Sequence, residues 1–185
     1  MSKFKNMQDT QLLPTRIDPK YIIPFTGYPV IITQGYNGPY SHKGREINGR
    51  IRRNDCYSID FALPLETTII ASRAGIVNLV ETFFDECYLG LNPNKGRVST
   101  NFITIDHLDG TGAIYAHLEK QGELVQRKQF VEQGQPIAIT GLSGWIGPIP
   151  HLHFAVFKKR KTRRTTVPIN FENYHGPLEH STLMS

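Results

Sequence analysis

The segment HLHFAVF, residues 151–157, decides the fold class of this chain. On a β-strand, side chains two residues apart point to the same face. His151 and His153 therefore share one face of the predicted strand. The opposite face is apolar and consists of Leu152, Phe154 and Val156. The apolar face explains why this segment forms a strand, but it does not explain two imidazoles side by side on the other face.

The same kind of short apolar run recurs along the chain, rich in Ile, Val, Thr, Phe and Tyr and divided by turn-forming residues. The clearest further runs are YSIDFALP (57–64), TTIIASRAGIVNLV (67–80), NFITIDHLDG (101–110) and GAIYAHLE (112–119). No window keeps helical apolar spacing for three turns. The pattern predicts an all-β, antiparallel fold, either a β-sandwich or a partly open barrel. We expect one β domain over residues 21–174, an N-terminal arm over 1–20 and a C-terminal tail over 175–185.

Composition excludes several classes of protein. The chain has 185 residues, of which 39% are hydrophobic and 20% charged, and this excludes a disordered chain, a coiled coil and a collagen-like repeat. No apolar run approaches 18 residues, so no membrane-spanning segment is expected, and no apolar stretch of signal-peptide length follows the basic start. Two cysteines exclude a disulfide-dense scaffold and an all-thiolate metal site.

Basic residues exceed acidic ones, with a net charge of +5, and they are most concentrated at residues 158–164, where six of seven residues are Lys or Arg. We interpret this segment as the solvated tip of a hairpin between two strands. A patch that holds an anionic polymer is the alternative. No nucleic-acid motif accompanies it, so no nucleic-acid partner is expected.

Ionisable groups appear on the polar side of two further strands. In YSIDFALP, the residues Tyr57, Ile59, Phe61 and Leu63 are predicted to face the core, which leaves Asp60 on the other face. In AIYAHLE, the alternation predicts that Ile114, Ala116 and Leu118 share the apolar face and that Tyr115 and His117 share the other. A shared polar cleft over one sheet accounts for all of these residues. Imidazole and carboxylate groups in such a cleft suit a zinc site.

The chain resembles the lysostaphin/LytM-like zinc metallopeptidases that cut peptidoglycan. The matching motifs occur in the family's order and cover most of residues 30–157. They are SH (41–42), YSIDFALP, the segment Ala71–Val77, NFITIDHLDG, YAHL (115–118), GQPIAITGLSG (134–144) and PHLHF (150–154). The resemblance implies the all-β fold of these peptidases, which is of the duplicated hybrid motif type.

The resemblance also implies a function and a set of roles. His42, Asp60 and His153 would bind one Zn²⁺ per chain, and His117 and His151 would be the catalytic pair. The expected activity is that of a zinc-dependent endopeptidase that hydrolyses cross-bridges or stem peptides of bacterial peptidoglycan through a zinc-activated water. The expected location is the cell envelope. The alternative is a non-catalytic member that binds cell wall or regulates a partner hydrolase.

The spacing of the first two proposed ligands departs from the commonest family pattern, in which three residues separate them. Here 17 residues separate His42 from Asp60, and the turn-forming pair Asn48-Gly49 indicates an inserted hairpin. Cys56 is a rival ligand, since it lies four residues before Asp60, on the predicted strand. The other alternative for Cys56 is a disulfide with Cys87.

Among the other candidates, we expect His107 to be a semi-buried structural histidine and His175 and His180 to be solvated. Asn101 is either a donor to substrate or zinc, or an ordinary residue at the start of a strand.

Overall fold

The structure is a computed structural model, and it covers most of the chain. It describes residues 21–27, 29, 31–43, 45–47, 50–52, 55–89, 99–160 and 163–178. The predicted arm over 1–20 and His180 lie outside the described residues. Leu178, in the predicted C-terminal tail, packs against the core, and its carbonyl accepts a hydrogen bond from the amide of Tyr36. The domain boundary at residue 174 stays a prediction.

The described residues form strands and no helix, which confirms the all-β prediction. The strands are β1 (Ile32–Gln34), β2 (Arg45–Ile47), β3 (Arg50–Arg52), β4 (Ile59–Ala62), β5 (Thr68–Ile70), β6 (Gly75–Glu81), β7 (Cys87–Tyr88), β8 (Phe102–Asp106), β9 (Thr111–Ala116), β10 (Leu118–Glu123), β11 (Phe130–Val131), β12 (Pro136–Thr140), β13 (Gly144–Trp145), β14 (His151–Arg160) and β15 (Arg163–Thr166). In this part of the chain there is accordingly no helix that could span a bilayer.

Two sheets build the body of the domain. The larger sheet has the order β1-β4-β14-β9-β8-β6-β11, with β15 paired to β14, and the smaller has the order β10-β12-β5. All of these pairings are antiparallel, as predicted. Among the described strands, the short pair β7 and β13 is parallel.

A single hydrophobic cluster receives side chains from both sheets. Phe61, Tyr115 and Phe154 enter it from the larger sheet, and Ile69 and Ile137 enter it from the smaller one, each with 0% exposure. Complete burial of a side chain of this size contributes about 1.5–3 kcal/mol. The core therefore holds one face of β4, β9 and β14 rigidly and leaves their other face for polar groups.

The predicted alternation on β4 is correct from Ile59 to Leu63 but wrong at Tyr57. Tyr57 is 36% exposed and packs edge-on against Tyr36, with ring centroids 5.3 Å apart. The reason is that β4 begins only at Ile59, after a turn in which the amide of Ser58 donates to the carbonyl of Asp55. Strand periodicity does not apply before that point.

The predicted assignment of faces on β9 is also wrong. Tyr115 lies in the core, 5.2 Å from Phe154 between ring centroids, and its hydroxyl accepts a hydrogen bond from the amide of Ser72. His117 does not follow it to that side, because φ of 66° at His117 interrupts the alternation between β9 and β10. A left-handed residue at the junction of two strands turns this histidine onto the polar face.

Both hairpins predicted from the sequence are present. Strands β2 and β3 pair with Ile47 opposite Arg50, so the insertion between His42 and Asp60 folds back on itself. Strands β14 and β15 pair with Arg160 opposite Arg163, which confirms the hairpin over the basic segment. The tip of that hairpin, residues 161–162, lies outside the described residues.

Candidate active site

The site begins as a row of residues across the polar face of the larger sheet. Gln34 on β1 is opposite Asp60 on β4, Asp60 is opposite His153 on β14, and His153 is opposite Ala116 on β9. Directly opposed residues on neighbouring strands present their side chains on the same face. Strand register, set by the apolar residues on the other face, therefore places the Asp60 carboxylate between Gln34 and His153.

Asp60 is at the centre of the site and is almost fully buried, with 4% exposure. Its Oδ1 is 2.9 Å from Nδ1 of His153 and 3.4 Å from Nε2 of His42. Its Oδ2 is 2.7 Å from Nε2 of Gln34 and 3.8 Å from Nε2 of His151. One carboxylate oxygen thus faces two imidazole nitrogens, and the other lies between the Gln34 amide and a third imidazole.

His42 is completely buried on a turn that follows β1. Its Nδ1 is 3.0 Å from the carbonyl oxygen of Gly35 and donates to it, which leaves the lone pair at Nε2 directed toward Asp60. Among the described residues, this Nε2 atom has no hydrogen-bond partner. A buried nitrogen acceptor without a donor is costly in a folded protein unless something else, such as a metal ion, uses its lone pair.

The donor atoms of His42, Asp60 and His153 fit a metal ion. One ligand atom from each residue lies within 4.8 Å of the others. Ligands about 2.0–2.1 Å from a tetrahedral zinc ion are roughly 3.4 Å apart. The distances from Asp60 Oδ1 to the two imidazole nitrogens, 2.9 Å and 3.4 Å, are close to that value. Two imidazoles and one carboxylate are also a donor set that zinc accepts.

The charges in the site favour a cation. Burial by itself raises the pKa of Asp60, but the charges of His42 and His151 and the hydrogen bond from His153 outweigh it and hold this pKa well below its usual value. Burial lowers the pKa of His42, and the Asp60 carboxylate more than reverses this effect. Asp60 is therefore an anion enclosed by imidazoles.

His117 and His151 form a second pair beside this cluster, with ring centroids 4.7 Å apart. Nδ1 of His117 donates to the carbonyl of Ser143 at 2.8 Å, and Nδ1 of His151 donates to the carbonyl of Ile149 at 2.8 Å. In a neutral ring this arrangement leaves the lone pair at Nε2. Burial, followed by the charges of His151 and His153, lowers the pKa of His117 to about 3 and keeps this ring neutral.

Two residues of the site, Gln34 and Ser143, are not among the candidates identified in the sequence. Gln34 lies two residues after the core residue Ile32, so strand alternation predicts that it also faces the core, but an irregularity in register between them places Gln34 opposite Asp60. Ser143 acts through its backbone carbonyl, which carries no side-chain signal.

Asn101 is structural in this geometry. Its side chain accepts from the amide of Phe84 at 2.9 Å and donates to the carbonyls of Phe84 at 2.7 Å and Leu118 at 3.2 Å. Its backbone amide donates to Ser143 Oγ. Asn101 thus joins Phe84 to Leu118, which follows His117, and to Ser143, whose carbonyl binds the His117 ring.

The remaining candidates are not part of the group formed by His42, Asp60 and His153. Cys56 is buried in the turn before β4 rather than on the strand, Cys87 is exposed, and the two form no disulfide. His107 is buried, and its Nδ1 donates to the carbonyl of Ala74 at 2.9 Å, as expected for a structural histidine. His175 is exposed, as expected.

Comparison with known proteins agrees with this fold. The family model of peptidase family M23 matches residues 55–165, a range that contains Asp60, His117, His151 and His153 and begins after His42. Peptidoglycan DD-endopeptidase ShyB of Vibrio cholerae serotype O1 is 30% identical over 142 residues, which are 74% of this chain and 28% of that protein. The chain thus spans less than a third of the relative's length.

Two solved structures share the fold. A zinc-containing peptidase from Vibrio cholerae matches with a TM-score of 0.54 and 25% identity, over 80% of this chain and 39% of that one. The catalytic domain of the antimicrobial peptidase lysostaphin from Staphylococcus simulans matches with a TM-score of 0.50 and 24% identity, over 74% of this chain and 88% of that one. Since the family model covers more than half of the chain, this protein belongs to peptidase family M23.

Proposed function

We propose that this chain is a zinc-dependent endopeptidase that hydrolyses cross-bridges or stem peptides of bacterial peptidoglycan. The observation that carries the proposal is the meeting of His42, Asp60 and His153 around one point, with the His117 and His151 pair beside it. Membership of peptidase family M23 and the name of the Vibrio relative support the same substrate class.

Nε2 of His42, Oδ1 of Asp60 and Nδ1 of His153 would hold one zinc ion per chain. Three protein ligands are the number that catalytic zinc sites use. When bound, zinc supplies a Lewis acid that polarises a peptide carbonyl and lowers the pKa of water to about 7. The low pKa of Asp60 keeps the carboxylate ionised for this role at neutral pH.

His117 and His151 would move protons beside the metal. Because both Nδ1 atoms donate to backbone carbonyls, the neutral form of each ring has its lone pair at Nε2. That atom can accept a proton from an attacking water and return it to the amine that leaves. A protonated ring can also stabilise the negative charge that develops on the carbonyl oxygen. The short distance between the two rings lets them share these roles.

The cell envelope is the location that this substrate requires. The net charge of +5 is favourable for approach to an anionic cell-wall polymer. The larger sheet contributes Asp60, His151 and His153 to the site, and His42 and His117 reach it from a turn and from a strand junction.

The proposal is tested by mass analysis of muropeptides after incubation of purified sacculi with the protein, with and without a chelator. We expect new peptide termini that disappear with chelator and return with added zinc. His117→Ala and His151→Ala should each retain zinc and lose hydrolysis. The exposed His175→Ala is the matched control and should leave both unchanged.

Sacculi that are bound but never cleaved, at any zinc concentration, would identify a non-catalytic wall-binding member instead. Hydrolysis that persists without zinc, or in both histidine variants, would contradict the assignment of the site.

A further inference from the structure

Gln34 is a buried polar residue whose side chain contacts Asp60 and the turn that carries His42. It lies on β1, at one edge of the larger sheet, with 3% exposure. Its partner across the strand pair is Asp60, and the turn that begins just after β1 carries His42.

Every hydrogen-bonding position of the Gln34 amide is used. Nε2 donates to Oδ2 of Asp60 at 2.7 Å and to Oγ of Ser41 at 2.9 Å. Oε1 accepts from the backbone amides of Tyr40 and Ser41, both at 2.9 Å. A carboxamide has two donor hydrogens and two acceptor lone pairs. The orientation of the group is therefore determined, since a flipped amide would direct its hydrogens at two N–H donors.

The bond to Asp60 selects which carboxylate oxygen is available. Gln34 binds Oδ2, and Oδ1 is the oxygen that faces Nε2 of His42 and Nδ1 of His153. With Oδ2 held in a short bond to the amide, Asp60 offers a single oxygen to a metal ion.

The bonds to Tyr40 and Ser41 fix the turn that carries His42. These two amides precede the histidine directly, and the turn packs closely on the side chain of Gln34. A Cβ atom added to Gly38 would lie 2.2 Å from Cγ of Gln34, so only glycine leaves room for the chain to pass. Gln34 thus links the turn that carries His42 to Asp60, although 17 residues and a hairpin separate His42 from Asp60 in the sequence.

We propose that Gln34 is the positioning residue of the metal centre, holding His42 and Asp60 at the separation that zinc requires. This inference rests on the proposed function, because it assumes that the three residues bind zinc. Groups that hydrogen-bond to metal ligands typically change metal affinity 10–100-fold when removed.

The test is the zinc dissociation constant of Gln34→Met, measured by competition with a chromophoric chelator. Methionine conserves the length of the side chain and removes all four hydrogen bonds. We expect the dissociation constant to rise 10–100-fold. A merely structural role would lower the melting temperature of the metal-free protein and leave the zinc affinity of the folded protein unchanged.

Gln129→Met is the matched control. The side chain of Gln129 also accepts a backbone N–H, that of Gln126, in a turn. This turn leads into β11, which lies at the opposite edge of the sheet from β1. The control should retain the wild-type zinc affinity.

Gln34→Asn is the second variant, in case the methionine variant does not fold. It keeps the amide but is one methylene too short to reach both Asp60 and the turn, and it should also weaken zinc binding at least tenfold. A dissociation constant within threefold of wild type in a folded Gln34 variant overturns the inference and leaves the proposed function intact. If neither variant folds with or without zinc, Gln34 is structural and the inference is wrong. If the wild-type protein binds no zinc, both the inference and the proposed function fail.

Discussion

His117 occupies a left-handed backbone conformation, with φ of 66°, at the junction of β9 and β10. Replacing it by glycine and by alanine separates the backbone strain from the loss of the side chain. Both variants lose the imidazole and its hydrogen bond to Ser143 equally. The difference in stability between them therefore reports the backbone alone.

The expected magnitude follows from two opposing effects. A residue with a Cβ atom costs roughly 1–2 kcal/mol in the left-handed region, and glycine avoids this cost. Glycine also makes the unfolded chain more flexible. This effect lowers the stability of the folded protein by about 0.4–1 kcal/mol relative to alanine. We expect His117→Gly to be more stable than His117→Ala by about 0.8 kcal/mol, the difference between the midpoints of these ranges.

The assay is urea unfolding of four proteins, with His175→Gly and His175→Ala as the matched pair. His175 is exposed and is not among the described residues with positive φ, so there alanine should be the more stable by about 0.4–1 kcal/mol. The two pairs should therefore rank in opposite order. The gap between the two differences equals the strain at His117, about 1.5 kcal/mol.

The result that would refute this reasoning is the same difference at both positions. If His117→Ala were more stable than His117→Gly by about 0.4–1 kcal/mol, as expected at His175, the backbone at His117 would not be strained. The explanation for how this histidine leaves the core side of β9 would then be wrong. Both His117 variants should lack hydrolytic activity, so activity does not decide between the outcomes.

Three further predictions concern buried residues of the domain. Burial, the largest effect, lowers the pKa of His107, so the folded protein favours the neutral imidazole. The stability that this imidazole contributes is complete above about pH 6.5 and is lost as the pH falls. The difference in unfolding free energy between wild type and His107→Gln should therefore shrink from pH 8 to pH 5 in urea titrations, and a constant difference would count against it. Leu152→Ala, on the core face of β14, should lower the unfolding free energy by about 2–5 kcal/mol. Leu124→Ala at an exposed site should lower it by less than about 0.5 kcal/mol, and equal losses would contradict the assigned core. Asn101→Ala should lower the unfolding free energy by about 2 kcal/mol or more and leave the zinc content unchanged. A folded variant that has lost zinc would indicate that Asn101 binds the metal.

Short-range patterns in the sequence were sufficient for much of the fold. Alternation identified β14 and most of β4, since a strand with one face in a core must place apolar residues at every second position. The Asn-Gly pair indicated the hairpin of β2 and β3, because its backbone suits a tight turn. Alternation failed at Tyr57, which precedes the start of β4, and between Tyr115 and His117, where β9 ends and φ becomes positive.

The sequence by itself determined which residues offered imidazole and carboxylate groups, and that β14 carries two of them on one face. These are local properties, set by residue type and by the two-residue period of a strand. Only the tertiary structure decided that Gln34, Asp60 and His153 lie in one row, because this depends on the register between strands that are far apart in the chain. It also decided that His42 meets Asp60 across the inserted hairpin. The buried amide of Gln34 joins the turn of His42 to Asp60, and no sequence pattern specifies the partners of that amide.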